Sequence, residues 1–184
     1  YKFNSFRIMN LMFIKDNGRM KLKTFKLAGT SGQCLMNPPD LVDGHIPVVL
    51  SNLGGSIMNL IVAVTALVVM IFVPVNLLWT VVLSVFMIIN LAFAVINGIP
   101  IKMGNINNDG RNTLDLIRNK EAVRAFWIQF KLNEMNSENV RLKDMPEEWF
   151  VLPDEASMEN GMIASVAVFA ANRLMDSHKF EEAD

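Results

Sequence analysis

The sequence predicts a mainly α-helical membrane protein in three consecutive parts: a β-hairpin, a two-helix transmembrane hairpin and a cytosolic helical tail. Hydrophobic residues make up 52% of its 184 positions, above the roughly 45–50% of an ordinary soluble domain. Residues 46–101 contain no Asp, Glu, Lys, Arg or His, so all 17 basic and 18 acidic residues lie outside them. We place the boundaries of the three parts at residues 1–44, 45–118 and 119–184.

The first part reads as a membrane-associated β-hairpin followed by a loop. Residues 4–14 and 19–27 are two extended runs, and Asn17-Gly18 between them supplies the positive φ angles of a tight hairpin turn. Residues 28–33 and 37–40 are rich in Gly, Ser, Asn and Pro, which predicts an irregular loop.

The second part contains two apolar runs, residues 55–73 and 77–96, each close to the ~20 residues that cross a bilayer as a helix. A break of three residues, Pro74-Val75-Asn76, predicts an antiparallel pair with both flanks on one side. Basic residues near both ends favour the cytoplasmic side. The alternative, a buried helical pair in a soluble core, is disfavoured because two adjacent uncharged runs of this length exceed ordinary core helices.

The third part is predicted to be helical. Val123, Trp127 and Phe130 follow a helical period within residues 121–135, and Asp154 is the expected N-cap of a second helix that ends near Leu174. Residues 174–183 resemble the turn of a tetratricopeptide-type helix pair, an array that would continue past residue 184. A generic amphipathic helix pair is the equal alternative, and either form could bind protein partners.

Several function classes are excluded by composition. The net charge of −1, with no clustered basic face, gives no nucleic-acid footprint. Cys34 is the one cysteine, so the chain has no intrachain disulfide framework.

Candidate functional residues lie at the two ends of the apolar region. Gly54-Gly55-Ser56 opens the first run, where small residues predict a close helix approach, and Asn59 brings an amide to membrane depth. Plain packing is the alternative explanation for these small residues.

The exit from the second run is the other candidate. Asn97-Gly98-Ile99-Pro100 is followed by the Gly- and Asn-rich residues 104–110, and irregular backbone at membrane depth is tolerated only inside protein or beside a wet cavity. Asp109 closes this segment. A carboxylate embedded there is costly and usually functional, although Asn-Asp-Gly is also a common surface turn.

Together these residues resemble the site-2 protease family of intramembrane zinc metalloproteases. In that family a glycine-rich motif with an asparagine opens a core helix. Gly55 and Asn59 correspond to it, with Ser56 where the family usually has Pro. The resemblance covers residues 3–117, and the tail is similar to that of a bacterial subgroup, which implies the bacterial cytoplasmic membrane.

A later helix of the family carries Asn, Pro and Asp-Gly, and its Asp is the third zinc ligand. Asn97, Pro100, Asp109 and Gly110 correspond to this second motif, with an unusually long interval between Pro100 and Asp109. The resemblance thus implies that Asp109 is a Zn²⁺ ligand and that Gly55, Asn59, Asn97, Pro100 and Gly110 support the substrate or the site loop.

The chain lacks the His-Glu-x-x-His motif that supplies two zinc ligands and the general base. His45 and His178 have no helical His partner and are expected to be solvated. We therefore expect a fragment whose catalytic helix lies upstream of Tyr1, with no catalytic residue inside the chain. The parent would hydrolyse peptide bonds of membrane-embedded protein substrates.

The alternative is a non-catalytic membrane scaffold whose helical tail binds partner proteins. A transporter with broken helices ranks last, because it needs a second apolar hairpin.

Overall fold

The computed structural model describes residues 1–16, 19–24, 32–103 and 106–183. It divides into two compact units: Tyr1–Ile46 together with Glu121–Asp184, and Pro47–Lys120. The sequence prediction treats the two terminal segments as separate parts, whereas in the structure they build one unit. The indole Nε1 of Trp127 donates to the carbonyl of Pro39 at 3.0 Å, and Asn4 Nδ2 donates to Ser137 Oγ at 3.2 Å.

The first segment forms a four-stranded antiparallel sheet instead of a two-stranded hairpin. Its strands are β1 (Lys2–Ile8), β2 (Leu11–Asp16), β3 (Arg19–Thr24) and β4 (Gly32–Asn37), in the order β3-β2-β1-β4. Pairing of Asp16 with Arg19 agrees with the predicted hairpin, whose turn residues 17 and 18 lie outside the described residues. Strand β4 occupies part of the predicted loop, of which residues 28–31 also lie outside the described part.

The predicted strand over residues 4–14 is in fact two strands joined by a turn at Met9 and Asn10. Ile8 pairs with Leu11, and Met9 adopts a φ of 50°. The buried Arg7 donates from Nη1 to the carbonyl oxygen of Met9 at 2.7 Å. This contact holds a turn that lacks the usual glycine.

One face of the sheet is apolar and exposed. Phe6, Phe13 and Leu22 lie side by side across three strands, and Cys34 pairs with Phe6 on the fourth. These side chains are exposed, whereas Arg7 on the opposite face is only 2% exposed.

The second unit begins with two long apolar helices, α1 (Val49–Phe72) and α2 (Leu77–Gly98). Both are long and apolar enough to cross a membrane, and the break between them falls where predicted. Asn76 is the N-cap of α2 and accepts a hydrogen bond from Trp79 N at 3.1 Å. The buried residues of α1 are small, namely Ser56, Ala63 and Ala66, while most large apolar side chains of both helices are exposed.

The chain continues through β5 (Lys102–Met103), β6 (Ile106–Asn107) and α3 (Asp109–Arg118), and then enters α4 (Lys120–Ser137). The last helix, α5 (Gly161–Asp176), begins later than predicted. Asn160 caps it by accepting a hydrogen bond from Met162 N at 3.0 Å, while Asp154 accepts from Ser157 N at 2.6 Å and lies before a short 3-10 turn instead of the helix.

The core of the first unit lies between α4, α5 and the 3-10 turns that connect them. Its buried residues are Ile128, Leu132, Met145, Phe150 and Ala170. Val123 of the predicted amphipathic stripe is also buried, at 1% exposure. The tetratricopeptide character of the tail stays a prediction.

Candidate active site

The candidate site lies where α2 ends and α3 begins. Strands β5 and β6 pair antiparallel, with Lys102 opposite Asn107; residues 104 and 105 of the predicted irregular segment lie outside the described residues. Asp109 is the first residue of α3, with Asn108 as its N-cap. Asp109 is therefore part of a helix start and does not sit in an isolated turn.

Asn108 connects the two helices through its side chain, which is 8% exposed as a residue. Its Oδ1 accepts hydrogen bonds from Ile101 N at 3.0 Å and from Arg111 N at 2.9 Å. Its Nδ2 donates to the carbonyl oxygens of Ile96 and Ile99, each at 2.6 Å. These bonds satisfy backbone groups that a helix end leaves without intrahelical partners.

Gly110 lies against the C-terminal end of α2. A Cβ at this position would lie 2.3 Å from the carbonyl oxygen of Gly98 and 2.9 Å from the carbonyl carbon of Ile99. A Cβ on Gly98, in turn, would lie 3.4 Å from the Cβ of Ser56 on α1. Small residues thus bring all three helices together beside Asp109.

The carboxylate of Asp109 is available for a ligand. It has no hydrogen-bond or ion-pair partner within the described part of the chain, and only its backbone carbonyl accepts a bond, from Thr113 Oγ1 at 2.8 Å. Partial burial raises the pKa of Asp109 above its usual value, because desolvation disfavours the charged form. A nearby cation would offset that cost.

The other predicted site residues differ in how far they are exposed to solvent. Asn59 and Asn97 are half-buried, whereas Pro100 is exposed at the end of α2. Gly55 is exposed, and a Cβ added to it or to Gly54 would meet nothing within 4 Å. The predicted close approach at this end of α1 is therefore made by Ser56 and not by the two glycines.

Sequence reasoning missed the roles of Asn108 and Gly98. An N-cap signal was present, since Asn precedes a helix that opens with Asp. The contacts of Asn108 with α2 had no local sequence signal.

Metal-ligating residues do not gather elsewhere: among the described residues, no group of three or more His, Cys, Asp or Glu side chains could hold a metal ion. His45 and His178 are both exposed. A catalytic zinc site uses three protein ligands, so the free carboxylate of Asp109 fits one ligand position but the described residues do not complete the set.

No family model, curated protein or solved structure matches the chain. The resemblance to site-2 protease therefore rests on the residues themselves.

Proposed function

We propose that this chain is the Asp-bearing membrane part of a site-2 protease-like zinc metalloprotease that hydrolyses peptide bonds of membrane-embedded protein substrates. The observation that carries the proposal is the junction of three helices, at which Gly110 fits against Gly98 and the carboxylate of Asp109 has no hydrogen-bond or ion-pair partner among the described residues. These residues belong to the two motifs that resemble the family.

The membrane location is supported by α1 and α2. Most of their large apolar side chains are exposed, as expected for a lipid-facing surface. The segments before and after this pair pack into one compact unit. Two segments that pack together must lie on the same side of a bilayer, which supports a hairpin with both flanks on one side; the basic residues near both ends favour the cytoplasm for that side.

Zinc, when bound, would polarise the scissile carbonyl and lower the pKa of a water molecule. Asp109 would be one of its ligands. The proposal requires the complete protein to supply two further ligands and a general base, which the family provides through His-Glu-x-x-His. Asn59 and Asn97 are proposed to steady the substrate or the site loop through their amides.

The test is the zinc content of the complete protein, purified from membranes. Asp109→Ala is expected to lower zinc affinity by more than the about 10–100-fold typical of outer-shell substitutions and to abolish cleavage of a membrane-embedded model substrate. Asp115→Ala is the matched control, because Asp115 lies on the same helix but pairs with Arg111 at 3.1 Å. Unchanged zinc in Asp109→Ala overturns the proposal, as does a complete gene without His-Glu-x-x-His.

The exposed sheet face is proposed to contact lipid. Phe6, Phe13 and Leu22 form its apolar surface, and the exposed Cys34 lies on the same face. A nitroxide on Cys34 in proteoliposomes should be accessible to oxygen and protected from a water-soluble nickel reagent. Lys21→Cys in a Cys34→Ser background is the control, because Lys21 pairs with Ile14 on the opposite face. Equal nickel access at both positions refutes lipid contact.

A groove in the helical tail favours a second candidate function, a non-catalytic membrane scaffold whose tail binds partner proteins. It measures about 490 Å³ and has apolar walls that include Leu152 and Leu174. The Arg173 guanidinium lies 5.2 Å from the centre of the Phe150 ring, and its Nε is buried with no hydrogen-bond partner in the described part of the chain. Its ion-pair partner, Glu147, is 3.8 Å away and mostly exposed.

Such a groove suits an apolar peptide that carries a carboxylate. A short apolar peptide with a free carboxyl end should bind more tightly than its amide, and Arg173→Met should remove the difference. Equal binding of both peptides argues against this candidate. A scaffold also predicts that Asp109→Ala leaves function intact and that no zinc copurifies.

A further inference from the structure

One face of α2 carries a seven-residue repeat. Trp79, Phe86 and Phe93 follow one another at intervals of seven residues, and their exposed fractions are 56%, 50% and 53%. Leu83 and Asn90 each come four residues after one of these aromatic residues and are half-buried. We call these five residues the α2 stripe. At about 1.5 Å per residue, the stripe extends over about 21 Å, which is most of the ~30 Å hydrocarbon core of a bilayer.

The aromatic side chains of the α2 stripe point away from α1. Ser84 marks the face of α2 that contacts α1, because its hydroxyl donates to the sulfur of Met70 at 3.5 Å. Phe86 comes two residues after Ser84, which is about 200° around a helix. All of α2 is described, and none of its residues is buried. The packing of the helical hairpin therefore leaves this row of rings uncovered.

Asn90 adds a polar group to the stripe near the middle of the apolar helix. It lies about 4 Å along the axis from the midpoint of α2. Its Nδ2 donates one hydrogen to the carbonyl oxygen of Phe86, in the preceding turn, at 2.8 Å. Its carboxamide oxygen and its second amide hydrogen have no partner among the described residues. At membrane depth, an amide with a free donor and a free acceptor favours hydrogen bonding to another helix.

A second copy of the chain fits this face because both features of the stripe are self-complementary. Two copies inserted into a membrane in the same direction have parallel α2 helices, and a seven-residue repeat keeps parallel helices in contact as a left-handed pair. In the matching register, each residue of the stripe meets its own counterpart. Two Asn90 amides can then exchange hydrogen bonds, each oxygen accepting from the other Nδ2. A single Asn at such a position fixes register and helix number in coiled coils.

We propose that the α2 stripe is the interface of a homodimer, in which the two Asn90 side chains pair across a twofold axis along the membrane normal. Phe86 and Phe93 pack against their counterparts on either side of that pair. Each copy contributes the same surface, as a closed twofold dimer requires. Neither Zn²⁺ nor Asp109 takes part in this contact, which rests only on the proposed membrane location of α2. Loss of the dimer and loss of zinc are therefore separate results.

Disulfide crosslinking tests where the interface lies. Single cysteines are introduced into the full chain in a Cys34→Ser background, and each variant is reconstituted in vesicles of phosphatidylethanolamine and phosphatidylglycerol. Phe86→Cys and Phe93→Cys should crosslink into dimers on oxidation. Ile88→Cys is the matched control, because Ile88 is 60% exposed at nearly the same depth as Phe86 but lies on the opposite side of α2. Equal yields on the two sides, whether high or low, overturn the proposed interface.

Energy transfer between labelled copies measures the contribution of Asn90. Donor and acceptor dyes are attached to Cys34, and dilution with lipid gives the dissociation constant of the dimer in the bilayer. Asn90→Leu should raise this constant by about 3–30-fold, the range expected for interhelical hydrogen bonding in a membrane. Asn90→Gln keeps a donor and an acceptor and should retain most of the affinity. Thr65→Val is the control, since the Thr65 hydroxyl donates to the carbonyl of Ile61 in its own helix at 2.8 Å.

The same measurements distinguish a second copy from other occupants of the stripe. If the chain stays monomeric at every protein-to-lipid ratio while Phe86→Cys crosslinks to a different protein in native membranes, the stripe binds the helix of another protein and the homodimer is wrong. A monomeric chain without any crosslinked product leaves the stripe in contact with lipid and also overturns the homodimer. If Asn90→Leu dimerises as tightly as Thr65→Val, the Asn90 pair is wrong.

Discussion

Gly110→Ala tests the junction of α1, α2 and α3, because the structure shows which atoms an added Cβ at position 110 would meet. The added Cβ would lie 2.3 Å from the carbonyl oxygen of Gly98, whereas ordinary contacts begin at 3.4 Å. Relieving this contact requires α3 to move by about 1 Å. The neighbouring atoms are backbone, so no side-chain rotation can make room.

Alanine at position 110 is expected to lower the stability of the fold, because the cost of overpacking exceeds the gain in helix preference. Overpacking costs about 1–3 kcal/mol, and a contact with rigid backbone belongs at the upper end. The helix preference for Ala over Gly returns at most about 1 kcal/mol. We expect a net loss of about 2 kcal/mol, which lowers the melting temperature of a chain of this size by about 4–8 °C.

The assay is thermal unfolding of the chain in detergent micelles, followed by circular dichroism. Gly55→Ala and Gly161→Ala are matched controls, since a Cβ at either position meets nothing within 4 Å; neither should lower the melting temperature. If the proposed protease function is correct, a shift of α3 by about 1 Å should also reduce cleavage by about 100-fold. If Gly110→Ala and Gly55→Ala have the same melting temperature, the close approach of Gly110 to Gly98 is wrong.

Three further predictions concern stability. Ser56→Ala should stabilise the chain by about 1 kcal/mol in the same melting assay, because the Ser56 hydroxyl is buried without a hydrogen-bond partner among the described residues; a lower melting temperature would contradict this. Ile128→Ala should cost about 2–5 kcal/mol, since Ile128 is fully buried in the core cluster, and a loss well under this range would place it outside the core. The Arg141 guanidinium, by hydrogen bonding, lowers the pKa of Asp176 below its ordinary 3.8. This pair therefore stabilises the fold above pH ~4 and is lost as the pH falls further; Asp176→Asn should flatten that acid dependence in a pH titration of the melting temperature.

The two long apolar helices could be predicted from composition alone. Helices α1 and α2 and the break between them follow from two uncharged runs and a Pro-containing interval. The first turn of the sheet was missed because neither Met9 nor Asn10 is a glycine, and the positive φ of Met9 is supported by a contact from Arg7. Strand β4 was missed because its ends at Gly32 and Asn37 read as loop residues, and its pairing with β1 is not local.

The candidate site was predictable only in part. Asp109 was singled out as the carboxylate that closes an irregular segment, and its role as a zinc ligand stays a prediction; the structure shows that Gly110 fits closely against Gly98. Asn108 was not found, because its partners lie up to 12 positions away in the chain and no periodic pattern links them. Ser56 looked like a departure from the motif, yet it is the residue of α1 that reaches the junction.

The first unit consists of two segments that are separated in the sequence, so the ribosome synthesises them at different times. Tyr1–Ile46 leaves the ribosome before the apolar helices, but Glu121–Asp184 follows only after Pro47–Lys120 has been synthesised. At about 5–20 residues per second, this interval lasts roughly 4–15 s. During that time the strands of the sheet exist without α4, so the first unit can be completed only after both apolar helices have been synthesised.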